Sequence, residues 1–149
     1  MGQVSNEQAG MLLKLYDLRR EARLRQAREW FIRHFYPKTL AERASLSPEE
    51  DASVRMVTSY WDMVAGFATR GLVEEEMFFE TTAEFWIVWE RLKPIVNEVR
   101  EAVKDPHIWE HLEKTAQRYE MWRERRAPGS LAAARERMEQ LRAARAGQK

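Results

Sequence analysis

Apolar residues recur every three or four positions along most of this chain, which is the spacing of one face of an α-helix. The clearest run, behind residue 47, consists of Val54, Val57, Trp61, Val64 and Ala68. The sequence nowhere alternates apolar and polar residues over the length of a β-strand, as a half-buried strand requires. The pattern therefore predicts an all-α protein.

Capping residues and helix breakers divide the apolar pattern into separate helices. Ser47 and Pro48 begin the best-defined helix, because Ser47 can cap the first turn while Glu50 closes a capping box. The predicted breaks are at Pro37, Gly71, Pro94 and Pro128. From these signals we predict a helical bundle of four to six helices, with a long N-terminal helix over residues 6–36 and a C-terminal appended helix.

A run of glutamates marks a further helix start in the middle of the chain. Glu74–Glu76 suit the positive end of a helix dipole, and the helix that they begin is expected to run up to Pro94, which must kink or end it. Within it Glu76, Glu80 and Glu84 follow one another at four-residue spacing and share a face. This spacing favours a solvated acidic stripe.

Two more helix starts, Asp105–Pro106 and Ser130, are predicted in the C-terminal part. The last helix has a single apolar stripe, formed by Leu131, Ala134, Met138 and Leu141. So short and weakly apolar a helix is not stable alone. We therefore predict a helical bundle domain over residues 1–127 and an appended basic helix over residues 128–149, which docks on its own chain or pairs with another.

Length and composition narrow the class of protein. With 149 residues, the chain has the length of one domain that buries a substantial core. The hydrophobic fraction of 44% excludes a disordered chain. The absence of cysteine excludes disulfides, thiolate metal sites and cysteine nucleophiles. Because the sequence also lacks a signal peptide and the run of ~20 apolar residues that a membrane span needs, we expect a cytoplasmic protein without a transmembrane segment.

The net charge of +1 conceals basic ends and an acidic middle. Residues 1–48 contain nine Lys or Arg and five acids (net +4), residues 49–114 contain seven and fifteen (net −8), and residues 115–149 contain nine and four (net +5). The acidic middle is a counter-surface for the basic ends, either within one chain or between chains.

Arginines are concentrated in both basic ends. The candidate partner-binding surface consists of Arg19, Arg20, Arg23, Arg25, Arg28, Arg135 and Arg142. Because the planar guanidinium binds phosphate through paired hydrogen bonds, nucleic acid is one partner that these residues suit, and an anionic membrane is another. Acidic residues such as Glu21 and Glu29 interrupt the runs, which favours salt-bridged, solvated faces over either partner.

One motif has the spacing of a metal site. His107 and His111 belong to the string H-x-x-E-H, in which two histidines share a helix face and can chelate Zn²⁺, with Glu110 as general base. A catalytic zinc site needs a third protein ligand, and no motif in the sequence supplies one. Exposed or packing histidines are therefore the preferred interpretation.

Other catalytic signatures are missing from the sequence. Di-iron bundles use Glu-x-x-His pairs, and no histidine here has a glutamate three residues before it. The motifs of serine hydrolases, P-loop proteins and dinucleotide-binding proteins are absent as well. We therefore expect neither a cofactor nor an enzymatic activity.

An ordered set of short motifs lies between Tyr60 and Arg100. They are Arg70-Gly71-Leu72-Val73-Glu74-Glu75, then Trp89-Glu90-Arg91-Leu92-Lys93-Pro94, then Arg100. In these motifs the chain resembles an uncharacterised bacterial family of helical proteins, the domain of unknown function 4760, and the likeness extends more weakly over residues 47–122. The resemblance implies a helical fold and provides no catalytic residue.

The function expected from the sequence is that of a non-enzymatic interaction or scaffold module. Three features favour self-association or another protein partner. They are aromatic residues on more than one helix face, a long first helix with apolar ends, and a last helix that needs a neighbour. The alternative is a nucleic-acid-associated protein that uses its arginine-rich helices. A metal-dependent hydrolase acting through His107 and His111 is the remote alternative.

Overall fold

The computed structural model describes residues 3–148, and within that range the chain forms nine α-helices and no strand. The helices are α1 (Asn6–Leu18), α2 (Ala22–His34), α3 (Leu40–Ala44), α4 (Pro48–Thr69), α5 (Glu75–Thr81), α6 (Glu84–Leu92), α7 (Val96–Val103), α8 (Glu110–Arg126) and α9 (Ser130–Ala146). The all-α prediction is confirmed. The helix count is higher than the four to six predicted.

None of the helices between residues 3 and 148 combines the length and the apolar character that crossing a bilayer requires.

The chain forms two compact units, residues 1–116 and residues 117–149, whose boundary falls within α8. The domain boundary expected after residue 127 stays a prediction.

Helix α4 is the central element of the N-terminal unit, and it packs along α2 and α6. Its start has the predicted capping box, since the Ser47 hydroxyl accepts from the Glu50 N–H at 3.2 Å and the Glu50 carboxylate accepts from the Ser47 N–H at 3.0 Å. The largest side chains buried around it are Trp61, Trp86, Phe31, Phe78 and Phe85. Burial of such rings removes 150–250 Å² each from water, so they dominate the core energy.

The predicted long N-terminal helix is wrong, because residues 19–21 separate α1 from α2. Glu21 caps α2: its carboxylate accepts from the backbone N–H groups of Arg23 and Leu24 at 3.0 and 2.8 Å. These two hydrogen bonds lower the pKa of Glu21 below its usual value. At the other side of the break, Arg28 donates to the Arg19 carbonyl at 3.0 Å, which satisfies an acceptor freed at the end of α1.

The single helix predicted to run up to Pro94 is also interrupted, at Thr82 and Ala83. Thr82 has extended backbone angles, φ −160° and ψ 148°, and ends α5. Because α6 starts afresh at Glu84, that residue leaves the predicted acidic stripe with Glu76 and Glu80. The break is one more reason for the higher helix count.

Between α7 and α8 the chain forms a turn where the sequence predicted a helix start. Helix α8 begins at Glu110 and not at Asp105–Pro106. Lys104 and Trp109 both take left-handed backbone angles, φ 56° and 57°, which side chains disfavour. Arg100 holds this turn by donating to the Ile108 carbonyl from Nε at 3.0 Å and from Nη2 at 2.8 Å.

Glycines occupy two left-handed positions at helix ends. Gly71, with φ 73°, follows α4 as predicted, and Gly129, with φ 84°, precedes α9. Gly129 is therefore the residue before α9, and the predicted cap, Ser130, is the first residue inside it. The Ser130 hydroxyl instead accepts from Arg123 at 3.1 Å.

The C-terminal unit is a helical hairpin made by the last turns of α8 and by α9. The Glu124 carboxylate accepts from the Gly129 N–H at 2.8 Å and closes the connection. Farther along, Arg135 forms an ion pair with Glu120 at 2.8 Å, so α9 runs back along α8.

Candidate interaction surface

Helix α1 carries apolar side chains on two sides. On the inner side Leu15 is buried, with 3% of its surface exposed. On the outer side Leu13 is 71% exposed and Tyr16 is 49% exposed. A surface helix in a monomer usually has polar residues on its outer side, so this face of α1 is the most conspicuous candidate surface of the N-terminal unit.

An apolar groove, which we call the α1 groove, lies between α1, α4 and α5. It is lined by Leu12, Leu13, Leu15, Tyr16, Arg19, Tyr60, Trp61, Val64, Phe78, Thr81 and Thr82. Its volume is about 110 Å³, it opens to solvent at one side, and its exposed lining is almost wholly apolar.

The polar groups on the floor of the α1 groove are satisfied internally. The Tyr60 hydroxyl donates to the Leu15 carbonyl, and Trp61 donates from its indole nitrogen to the Glu84 carboxylate at 3.1 Å. Burial raises the pKa of Tyr60 to about 12. Neither of these two floor side chains therefore has a donor left for a ligand.

Beside the groove, Arg28 and Glu84 form a two-pronged ion pair. Arg28 donates from Nε and Nη2 to the two carboxylate oxygens, each at 2.6 Å. Both side chains are mostly buried, at 17% and 19% exposed. The hydrogen bond to Glu84 raises the pKa of Arg28 above its usual value, so the guanidinium keeps its charge.

Arg19 and Thr82 complete what we call the Glu84 cluster, which also contains Arg28, Trp61 and Glu84. Arg19 donates to the Thr82 hydroxyl at 3.3 Å, and that oxygen also accepts from the Glu84 N–H at 3.1 Å. The Arg19 guanidinium lies 4.4 Å from the centroid of the Tyr16 ring, a cation–π distance. The cluster therefore joins the interruption at residues 19–21 to the interruption at residues 82–83.

The five arginines predicted as a basic surface in the N-terminal unit do not act alike. Arg19 and Arg28 turn inward into the Glu84 cluster, and Arg20, Arg23 and Arg25 are exposed.

The two tail arginines of the predicted surface lie in the C-terminal unit. There Arg135 is bound to Glu120, and Arg142 is half-buried. Partner binding by all seven arginines stays a prediction.

The histidines of the H-x-x-E-H string have separate partners. His107 precedes α8 and contacts the Glu110 carboxylate at 2.8 Å, a hydrogen bond that lowers the pKa of Glu110. His111 lies within α8 and contacts the Thr69 hydroxyl at 2.9 Å. The premise that the two histidines share a helix face is wrong, because α8 starts between them. In the range 3–148, no three His, Cys, Asp or Glu side chains gather as a metal site would require.

Sequence reasoning missed the role of Glu84, which it placed on a solvated stripe. Its partner Arg28 lies 56 residues away, so no local spacing signals the pair. A weak signal is Thr82, a residue that ends helices more readily than it continues them.

The fold and this surface define an all-helical domain with an exposed apolar helix face. Residues 5–119 match the model of the family described as a domain of unknown function (DUF4760). The chain therefore belongs to this family, and the resemblance seen in the sequence motifs is confirmed. Searches of curated proteins and of solved structures gave no match.

Proposed function

We propose that this protein is a non-catalytic interaction module that self-associates through the outer face of α1. The observation that carries the proposal is the exposure of Leu13 and Tyr16, at 71% and 49%, on a helix whose other side is built into the core. Exposed apolar residues that cluster on one element are typical of protein-interaction sites.

The spacing of the outer face is that of a helix-pairing seam. Ala9, Leu13 and Tyr16 follow one another at intervals of four and three residues, as core positions do in paired helices. In a twofold dimer both copies use the same face, so a single interface buries Leu13 and Tyr16 of each copy. Leu18, 55% exposed at the end of α1, extends the apolar surface.

The polar groups near this face support a role without catalysis. Arg28, Glu84 and Trp61 are engaged with one another, and Tyr60 is bound to the Leu15 carbonyl. A general acid or base needs an accessible side chain with a shifted pKa within reach of a substrate. These side chains are instead hydrogen-bonded within the fold.

Sedimentation velocity over a concentration series tests the proposal. The wild-type protein is expected to shift from monomer to dimer as concentration rises, and Leu13→Glu is expected to remain monomeric, because a buried unpaired carboxylate opposes association. The matched control is Val103→Glu on α7, where a valine is 56% exposed outside the α1 surface. A wild-type protein that stays monomeric throughout, or equal effects of the two variants, would overturn the proposal.

A further inference from the structure

Two neighbouring arginines of the Glu84 cluster differ in how their charge is compensated. Arg28 is neutralised by Glu84 through two hydrogen bonds of 2.6 Å. Arg19 has no carboxylate within ion-pair distance in the described part of the chain, and its guanidinium makes one hydrogen bond, to the neutral Thr82 hydroxyl. Four of its five N–H donors are therefore available to another group.

This uncompensated cation stands beside the α1 groove and is half-buried. The remaining lining is apolar, with Leu12, Val64 and Phe78 among its residues. The groove encloses about 110 Å³, less than the roughly 300–1,000 Å³ of drug-sized sites, so a slender ligand would lie in it only in part and extend into its open mouth. Apolar walls with one charged group at the edge provide both affinity and orientation for a small ligand.

We infer that the α1 groove is a binding site for a small amphiphilic carboxylate. Its apolar body lies between α1, α4 and α5, and its carboxylate accepts hydrogen bonds from Arg19. A carboxylate matches the planar guanidinium with two parallel hydrogen bonds. The ligand carboxylate would neutralise Arg19 in the way that the Glu84 carboxylate neutralises Arg28.

The headgroup is tested first in the wild-type protein. Isothermal titration calorimetry compares one apolar tail carrying three different heads, with decanoate and decylamine kept below their micelle concentrations and decanol below its solubility limit. Decanoate is expected to bind about tenfold tighter than decanol, as a charge-assisted hydrogen bond allows, and decylamine is expected to bind more weakly than both. Equal affinities for decanoate and decanol, or no binding of decanoate, would overturn the inference.

The position of the site is tested by substitution at Arg19. Arg19→Met is expected to reduce decanoate affinity about tenfold while leaving decanol affinity unchanged, and Arg19→Lys is expected to restore part of the preference. The matched control is Arg25→Met, an exposed arginine outside the groove, which is expected to bind decanoate like the wild type. Loss of affinity in Arg25→Met equal to that in Arg19→Met would show that the headgroup is held by general surface charge and would overturn the assignment.

A second variant tests the groove independently of Arg19. Leu12→Trp fills the apolar space with a larger side chain and is expected to weaken decanoate and decanol by the same factor, with Val103→Trp as control. Thermal melting followed by circular dichroism identifies variants that are unfolded. Unchanged decanoate binding in folded Leu12→Trp would contradict the placement of the ligand in the α1 groove. Leu13 and Tyr16 belong both to the lining of the α1 groove and to the face proposed for self-association, so the titrations are made at concentrations at which sedimentation shows the protein to be monomeric.

Discussion

Helices α4 and α1 belong to the same N-terminal unit and have opposite surroundings. Nine residues of α4 are buried, whereas α1 buries only Leu15. α4 begins with a complete capping box and follows its sequence signals. α1 stops at Leu18 without a breaker and leaves Leu13 in solvent. The contrast separates a helix that holds the domain together from a helix that presents a surface.

The largest expected effect is the loss of the central ring of α4. Trp61→Ala removes a side chain that is 1% exposed and frees one bond of Glu84. We expect the free energy of unfolding to fall by about 4 kcal/mol, as for other buried rings, measured by urea denaturation. Trp61→Phe is the matched control and should lose clearly less, since it keeps most of the apolar volume. A loss below about 1 kcal/mol in Trp61→Ala would contradict the central role of α4.

The next effect concerns the ion pair that supports both helix interruptions. Glu84→Gln leaves Arg28 mostly buried without its counter-charge, which is expected to cost about 3 kcal/mol. The double variant Arg28→Met/Glu84→Met removes both charges and is expected to recover part of that loss, because neither group is then left unpaired. Urea denaturation of both proteins checks this, and a double variant less stable than Glu84→Gln would show that the pair is needed for more than mutual compensation.

A smaller effect tests the bond by which α4 holds α1. The pKa of Tyr60 is raised to about 12 in the folded protein, against about 10 for a free tyrosine. The unfolded chain therefore loses this proton first, and stability should be unchanged by this group below pH 9 and fall between pH 10 and pH 12, by about 2 kcal/mol or less because solvent screens part of the effect. Because other groups titrate there too, the measured quantity is the difference from Tyr60→Phe. The same alkaline decline in both proteins would contradict the prediction.

The smallest effect on stability is expected at the outer face of α1. Leu13→Ala should change the free energy of unfolding of the monomer by less than about 0.5 kcal/mol, as is usual for exposed positions. Its effect on dimer formation should nevertheless be clear in sedimentation experiments. A loss of 2 kcal/mol or more in the monomer, on the order of a buried leucine, would remove the distinction between the two helices.

How far the sequence determined the fold also differs between these helices. The two ends of α4 are set by local chemistry at Ser47, Pro48 and Gly71. In the structure α4 begins and ends where these residues predicted. At the break after α1, Glu21 caps α2 and Arg28 reaches back to the Arg19 carbonyl. Glutamate is not among the residues that usually cap a helix, and the Arg28 bond leaves no pattern in neighbouring residues, so the sequence predicted one continuous helix there.

The candidate surface was predictable in kind and not in position. The N-terminal end of the predicted first helix is apolar, with Leu15 and Tyr16 in one stripe. Which residue of the stripe is buried depends on where α4 and α5 lie, and this is a property of the folded chain. The pairing of Arg28 with Glu84 could likewise not be predicted, because it depends on the helix breaks at residues 19–21 and 82–83.

The Glu84 cluster has a mechanical consequence. Arg28 holds the last turn of α1 through the Arg19 carbonyl and the first residue of α6 through its carboxylate. Hydrogen bonds to one guanidinium therefore fix both the C-terminal end of α1 and the start of α6, so a change at either helix end disturbs the hydrogen bonds of the other.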